Sequence, residues 1–204
     1  MTREHGLHDV PMGWTSCARP KAKVPDMTDS RIAEVIDYWR PVVAKRLWME
    51  ADPAFDRDFR QRFLGLHMEA AARRCDGWME TAGGALALMV LLDQFPRNAF
   101  RGTAHMYATD GMALMHAREA ERRGYMEQVE PGFRMFFVYP FAHSENLADL
   151  ERAVSLAARI GDEWARRVGG HRDTIRGFGR FPRRNRLLGR ESTSGERAFL
   201  ARVP

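Results

Sequence analysis

The chain has 204 residues, 45% hydrophobic and 29% charged, with a formal net charge of +5; this is enough for one large domain around a buried core and excludes disordered or collagen-like composition. Its longest apolar run, residues 85–92, is too short to cross a bilayer. Arg3, Glu4, His5, His8 and Asp9 open the chain without an apolar stretch, and Cys17 and Cys75 form no metal or redox spacing, so a cytoplasmic protein with free thiols is expected, with no membrane partner.

Residues 1–27 contain Pro11, Pro20, Pro25, Gly6 and Gly13 and no sustained period, which predicts an extended or partly disordered arm against which Trp14 can pack. A single all-helical domain is expected over 28–204. Thr28 to Ser30 offers N-caps, and Ile32, Val35, Ile36 and Trp39 follow at helical spacing until Pro41 interrupts. Asp52-Pro53 pairs a cap with proline at the first helical position, and Phe55, Phe59, Phe63 and Leu66 stripe the helix that follows. Residues 82–94 are apolar nearly all round, as in a central buried helix ended by Pro96. Asp110 caps a helix through Met112 and Met115 to Gly124, and 131–139 is a short aromatic helix closed by Pro140. Ser144 caps the longest helix, with Leu147, Leu150, Val154, Ala157, Ile160, Trp164 and Val168 on one seam until Gly169-Gly170 breaks it. A shorter helix runs from His171 to about Phe178, and Thr193-Ser194-Gly195-Glu196 has the spacing of a capping box. No segment alternates as a strand does. The fold class is all-α, with antiparallel helices joined by short turns.

Charge is concentrated at the C-terminal end. Residues 166–202 hold eleven arginines, no lysine and three acids, a local +8 in a chain of +5. Arginine interleaved with Phe, Gly and Pro suits planar bidentate pairing or stacking. The plain alternative is that these arginines pin an irregular loop by bonding carbonyls. Nucleic acid is disfavoured as a partner, because no helix-turn-helix, zinc or RNA-binding motif surrounds the run.

Three polar constellations accompany it. In Leu92-Asp93-Gln94-Phe95-Pro96-Arg97-Asn98, Asp93 lies late in an apolar helix, where the dipole disfavours an anion and calls for a cation such as Arg97. The pair either fixes a helix end or serves a ligand. In Pro140-Phe141-Ala142-His143-Ser144-Glu145, Ser144 and Glu145 suit a helix start, and His143 would stand beside exposed amides that favour anions. In His171-Arg172-Asp173, His171 and Asp173 could combine with His143 and Glu145 as a carboxylate–histidine metal set, but the spacing fits no metal template, so neither metal nor cofactor is expected. His143, His171 and Glu145 are the candidates for proton transfer. No nucleophile elbow, P-loop or dinucleotide fingerprint is present.

Together with Phe178-Gly179-Arg180-Phe181-Pro182-Arg183-Arg184-Asn185 and Leu188-Gly189-Arg190-Glu191-Ser192-Thr193, these blocks resemble a family of mostly bacterial proteins known only as a domain of unknown function. The resemblance runs from roughly 36 to 200. It implies an all-helical, tetratricopeptide-like fold and no particular reaction. Two positions depart from the family pattern, Arg183 for a usual histidine and Leu150 for a usual glutamine. The resulting expectation is helical hairpins stacked in a tetratricopeptide-like superhelix with a concave groove. In it, Asp93, Arg97, Asn98, Arg180, Asn185 and Arg190 would meet the candidate histidines in one pocket for a small anionic molecule, a carboxylate or phosphate. The competing expectation is a non-catalytic scaffold for a protein or peptide. Arginines already saturated by carboxylates and carbonyls would favour the scaffold, and arginine tips open at a cavity would favour the ligand.

Overall fold

The computed structural model describes residues 29–49 and 51–202, and the arm expected over 1–27 lies outside them. Within the described residues every regular element is helical. Nine α-helices run in chain order: α1 Ser30–Ala44, α2 Pro53–Ala71, α3 Ala82–Met89, α4 Phe95–Ala99, α5 Asp110–Arg122, α6 Met135–Ala142, α7 Leu147–Ala158, α8 Asp162–Phe178 and α9 Ser194–Leu200. No described helix is long and apolar enough to cross a membrane.

The centre is α3, whose residues from Gly84 to Met89 are all buried because nearly every side chain is apolar. Around it pack α1 and α5, while α2 lies on α4 and α5 leads through α6 and α7 to α8. The α2 stripe that is buried is Phe59, Phe63, His67 and Ala70. Its rings interlock with Trp39 and Phe95: Trp39–Phe59 4.9 Å, Phe59–Phe95 5.1 Å and His67–Phe95 4.7 Å between centroids. Each fully buried ring of this kind contributes about 1.5–3 kcal/mol by leaving water, so this cluster anchors the first half. On α5 the buried face is Ala113, His116, Ala117 and Ala120, and Met115 is exposed. Small alanines let α5 pack on α3, with Met112 partly buried against the core. At Gly84 a Cβ would meet the Trp78 carbonyl oxygen at 2.1 Å, so this position requires glycine.

Three prolines expected to end helices lie inside helical runs. Pro41 stands within α1, where it removes only the bond to the carbonyl of exposed Asp37, which water can replace. Pro140 stands within α6, which continues to Ala142. Pro96 is passed by a π-helical turn, Val90–Gln94, that joins α3 to α4. The long helix expected from Ser144 is instead two, turned at Gly161, and Gly169-Gly170 lies inside α8. Packing of α8 along α7 outweighs the roughly 1 kcal/mol per glycine of lost propensity. Asn146, not Ser144, caps α7 by accepting from the Ala148 N–H. Helix α8 ends where Gly179 takes φ 69°, a left-handed cap, and releases the chain into the irregular stretch 180–193.

Candidate functional site

The site begins at the π turn. Here the Phe95 N–H donates five residues back, to the Val90 carbonyl. Pro96 has no N–H, so it can serve neither Leu91, five residues back, nor Leu92, four back. Side chains fill both positions: His67 Nδ1 donates to the Leu91 oxygen at 2.9 Å and Thr109 Oγ1 to the Leu92 oxygen at 2.5 Å. Arg97 takes the Asp93 carbonyl at 2.7 Å. The turn thereby aims the Asp93 carboxylate inward, where it is 1% exposed.

Asp93 Oδ2 accepts from Gln94 at 2.6 Å; Oδ1 accepts from His143 Nδ1 at 2.7 Å and lies 3.2 Å from Arg97. Burial works to raise this carboxyl's pKa, but Arg97 and His143 outweigh it and hold the group ionised, below the usual carboxylate range. His143 is the C-cap of α6, because that helix runs through Pro140. It therefore stands among helix-end carbonyls, not the helix-start amides expected from the sequence. Burial, then Arg97, depresses its pKa against the pull of Asp93, so at neutral pH the ring is uncharged with its proton on Nδ1. Tyr139 stacks on it at 5.6 Å and 7°.

His171, on α8, lies 6.3 Å from His143 between ring centroids. Its Nδ1 donates to the Ala142 carbonyl at 3.1 Å, and burial depresses its pKa as well. A carbonyl only accepts, so this ring also carries its proton on Nδ1. Neither Nε2 has a hydrogen-bond partner among the described residues. Both rings line a cavity of about 470 Å³, together with Thr174, Arg183 and Arg184 and the apolar surfaces of Tyr107, Phe181, Pro182 and Phe199.

Two arginines bridge the acids beside the cavity. Arg97 forks onto Asp110 at 2.9 and 3.0 Å. Burial opposes its charge, but Asp93 and Asp110 outweigh it. Arg184 donates to the His143 carbonyl at 2.8 Å and reaches Asp110 at 3.4 Å. Its guanidinium lies 4.6 Å from the centroids of both Tyr107 and Phe181, and burial lowers its pKa. Of the residues expected to converge, Asp93, Arg97, His143 and His171 do so.

The others lie elsewhere. Asn98 bonds Asp56 at 2.8 Å, tying α4 to α2. Arg180 forks onto Glu196 at 2.6 and 2.9 Å, and Glu196 closes the capping box of α9 with Thr193. Arg190 forks onto Glu145 at 2.7 and 3.0 Å, while Glu145 also accepts from the Phe181 N–H at 2.8 Å. Asn185 bonds Ser192 at 3.1 Å. These contacts hold the 180–193 stretch against the body and bring Phe181 and Arg184 to the cavity. Arg184, Asp110 and Tyr107 carry no sequence signal that marks them as site residues, since nothing local separates Arg184 from its neighbour Arg183. Among the described residues no group of three or more His, Cys, Asp and Glu could hold a metal ion.

Residues 35–203 match the family described as "Bacterial protein of unknown function (DUF924)". The solved structure of the protein of unknown function ATU0120 from Agrobacterium tumefaciens is 46% identical to this chain, covers 86% of it and 99% of its own chain, and superposes with a TM-score of 0.83. Among curated proteins no match is found.

Proposed function

The chain belongs to the DUF924 family of bacterial proteins of unknown function, and we propose that its cavity binds a small anionic molecule, with His143 as the group that moves a proton. The observation that carries this reading is the 2.7 Å hydrogen bond from His143 Nδ1 to buried Asp93. A carboxylate behind Nδ1 fixes the tautomer and leaves the Nε2 lone pair for a proton from the bound molecule or a water. The resulting imidazolium is stabilised by Asp93 and by the carbonyl end of α6. Arg184, aligned by Tyr107 and Phe181, holds the anionic group, and Arg97 orients Asp93 instead of touching the ligand. Arg180, Asn185, Arg190 and Glu145 act at a distance, by positioning the loop.

The second reading is a tetratricopeptide-like scaffold that binds a protein or peptide. The saturation of Arg97, Arg180 and Arg190 by carboxylates favours it, as does the packing of α5, α6, α7 and α8 in chain order. A thermal-shift titration with small carboxylates and phosphates separates the two. The ligand reading requires a dose-dependent rise in Tm for the wild type that disappears in Arg184→Gln and in His143→Gln. A flat response of the folded wild type across the panel sinks it and leaves the scaffold.

A further inference from the structure

We propose that the bound molecule is a monocarboxylate with an apolar body and a hydroxyl or amide hydrogen beside its acid group, and that this hydrogen is donated to Nε2 of His171, which stands beside His143 in the cavity wall. This rests on the cavity being an anion site, as argued above, and adds what the site selects.

The argument is one of hydrogen-bond roles. His143 Nδ1 is committed to Asp93 and His171 Nδ1 to the Ala142 carbonyl. Both partners can only accept, so each ring presents an Nε2 acceptor while it is neutral, and burial keeps both rings neutral at pH 7. Two neighbouring acceptors do not suit a bare anion, whose oxygens also accept. They suit a molecule that brings a donor. The anion falls to Arg184, which also lines the cavity, bonds Asp110 and the His143 carbonyl through its two terminal nitrogens, and has no bond at Nε among the described residues. Around it, Arg97 and Arg184 face Asp93 and Asp110. Arg183 also lines the cavity, so one added negative charge is tolerable there, and a monoanion costs less to bury beside this set than a phosphate dianion. Phe181, Pro182 and Phe199 line the rest of the cavity with apolar surface and give an aromatic or aliphatic body somewhere to bury.

The test is isothermal titration of the full chain with a matched pair, phenylacetate and its 2-hydroxy derivative mandelate. Mandelate is expected to bind at least tenfold more tightly. The preference should vanish in His171→Phe, which cannot accept, and persist in His171→Gln, whose amide oxygen can. Equal affinity of wild type for the two acids overturns the donor inference and leaves the anion site standing. Failure of both acids to bind folded wild type removes the anion site and this inference with it. Should His171→Phe not fold, the wild-type ratio alone decides.

Discussion

The Asp93 cluster and the Glu145–Arg190 contact are built from the same chemistry, a carboxylate forked or bridged by arginine, yet they stand in different surroundings. Asp93 is 1% exposed, whereas the side chains of Glu145 and Arg190 retain 27% and 24% of their exposure. In the first place the ions face little water, so removing one partner strands the other. In the second, solvent screens the loss. Burial, more than the pairing itself, separates a group that can hold a proton-transfer residue from one that merely fastens a loop.

The largest break in that comparison should come from Asp93→Ala, which strands the His143 N–H and removes an anion from Arg97. Urea unfolding is expected to show a loss of about 3–5 kcal/mol; a loss near that of a surface pair would contradict the role assigned to burial. Thr109→Val tests the π turn without touching an ion. It leaves the Leu92 carbonyl unpaired in the interior, for about 1–3 kcal/mol. Glu145→Gln, which loses the charge facing Arg190 but keeps an oxygen for the Phe181 N–H, should cost about 1 kcal/mol or less in stability, while loosening the loop and weakening any ligand held by Arg184. A stability loss as large as that of Asp93→Ala would show that the two regions do not differ.

The smallest effect is gradual and comes with pH. His67, His116, His143 and His171 all have pKa values depressed by burial from 6.5. In the unfolded chain they protonate near pH 6.5, whereas the folded chain resists the proton, so the unfolded state binds more protons in that window. Stability therefore rises with pH through it and declines as pH falls below about 6.5. Comparing urea midpoints at pH 7.5 and 5.5 checks the sign, and a midpoint that climbs on acidification would refute it. The double variant His143→Gln, His171→Gln should flatten the decline.

Much of the fold was legible because helical periodicity and capping are local. The Phe59–Phe63 stripe, the Asp52-Pro53 start and the capping box at Thr193 appear as read. The helix ends at Pro41, Pro96 and Pro140 did not, since a missing N–H ends a helix only if its carbonyl finds no other partner. Asp37 faces water, and Leu91 and Leu92 have His67 and Thr109. His67 itself continues the Phe59–Phe63 spacing and could have been found as part of that buried face. The candidate site was legible in part. Asp93, Arg97, His143 and His171 carried local signals as ionisable groups beside apolar helix ends, but Asn98 and Arg180 carried the same signals and belong to other contacts.

By itself the sequence determined the all-helical class, the apolar centre at α3 and the accumulation of arginine toward the C-terminus, because each is written in neighbouring residues. Tertiary structure alone decided which arginine reaches the cavity. Arg184 does so because Glu145 holds the Phe181 N–H and Gly179 turns the chain back, and contacts across 36 residues of sequence leave no trace in local spacing.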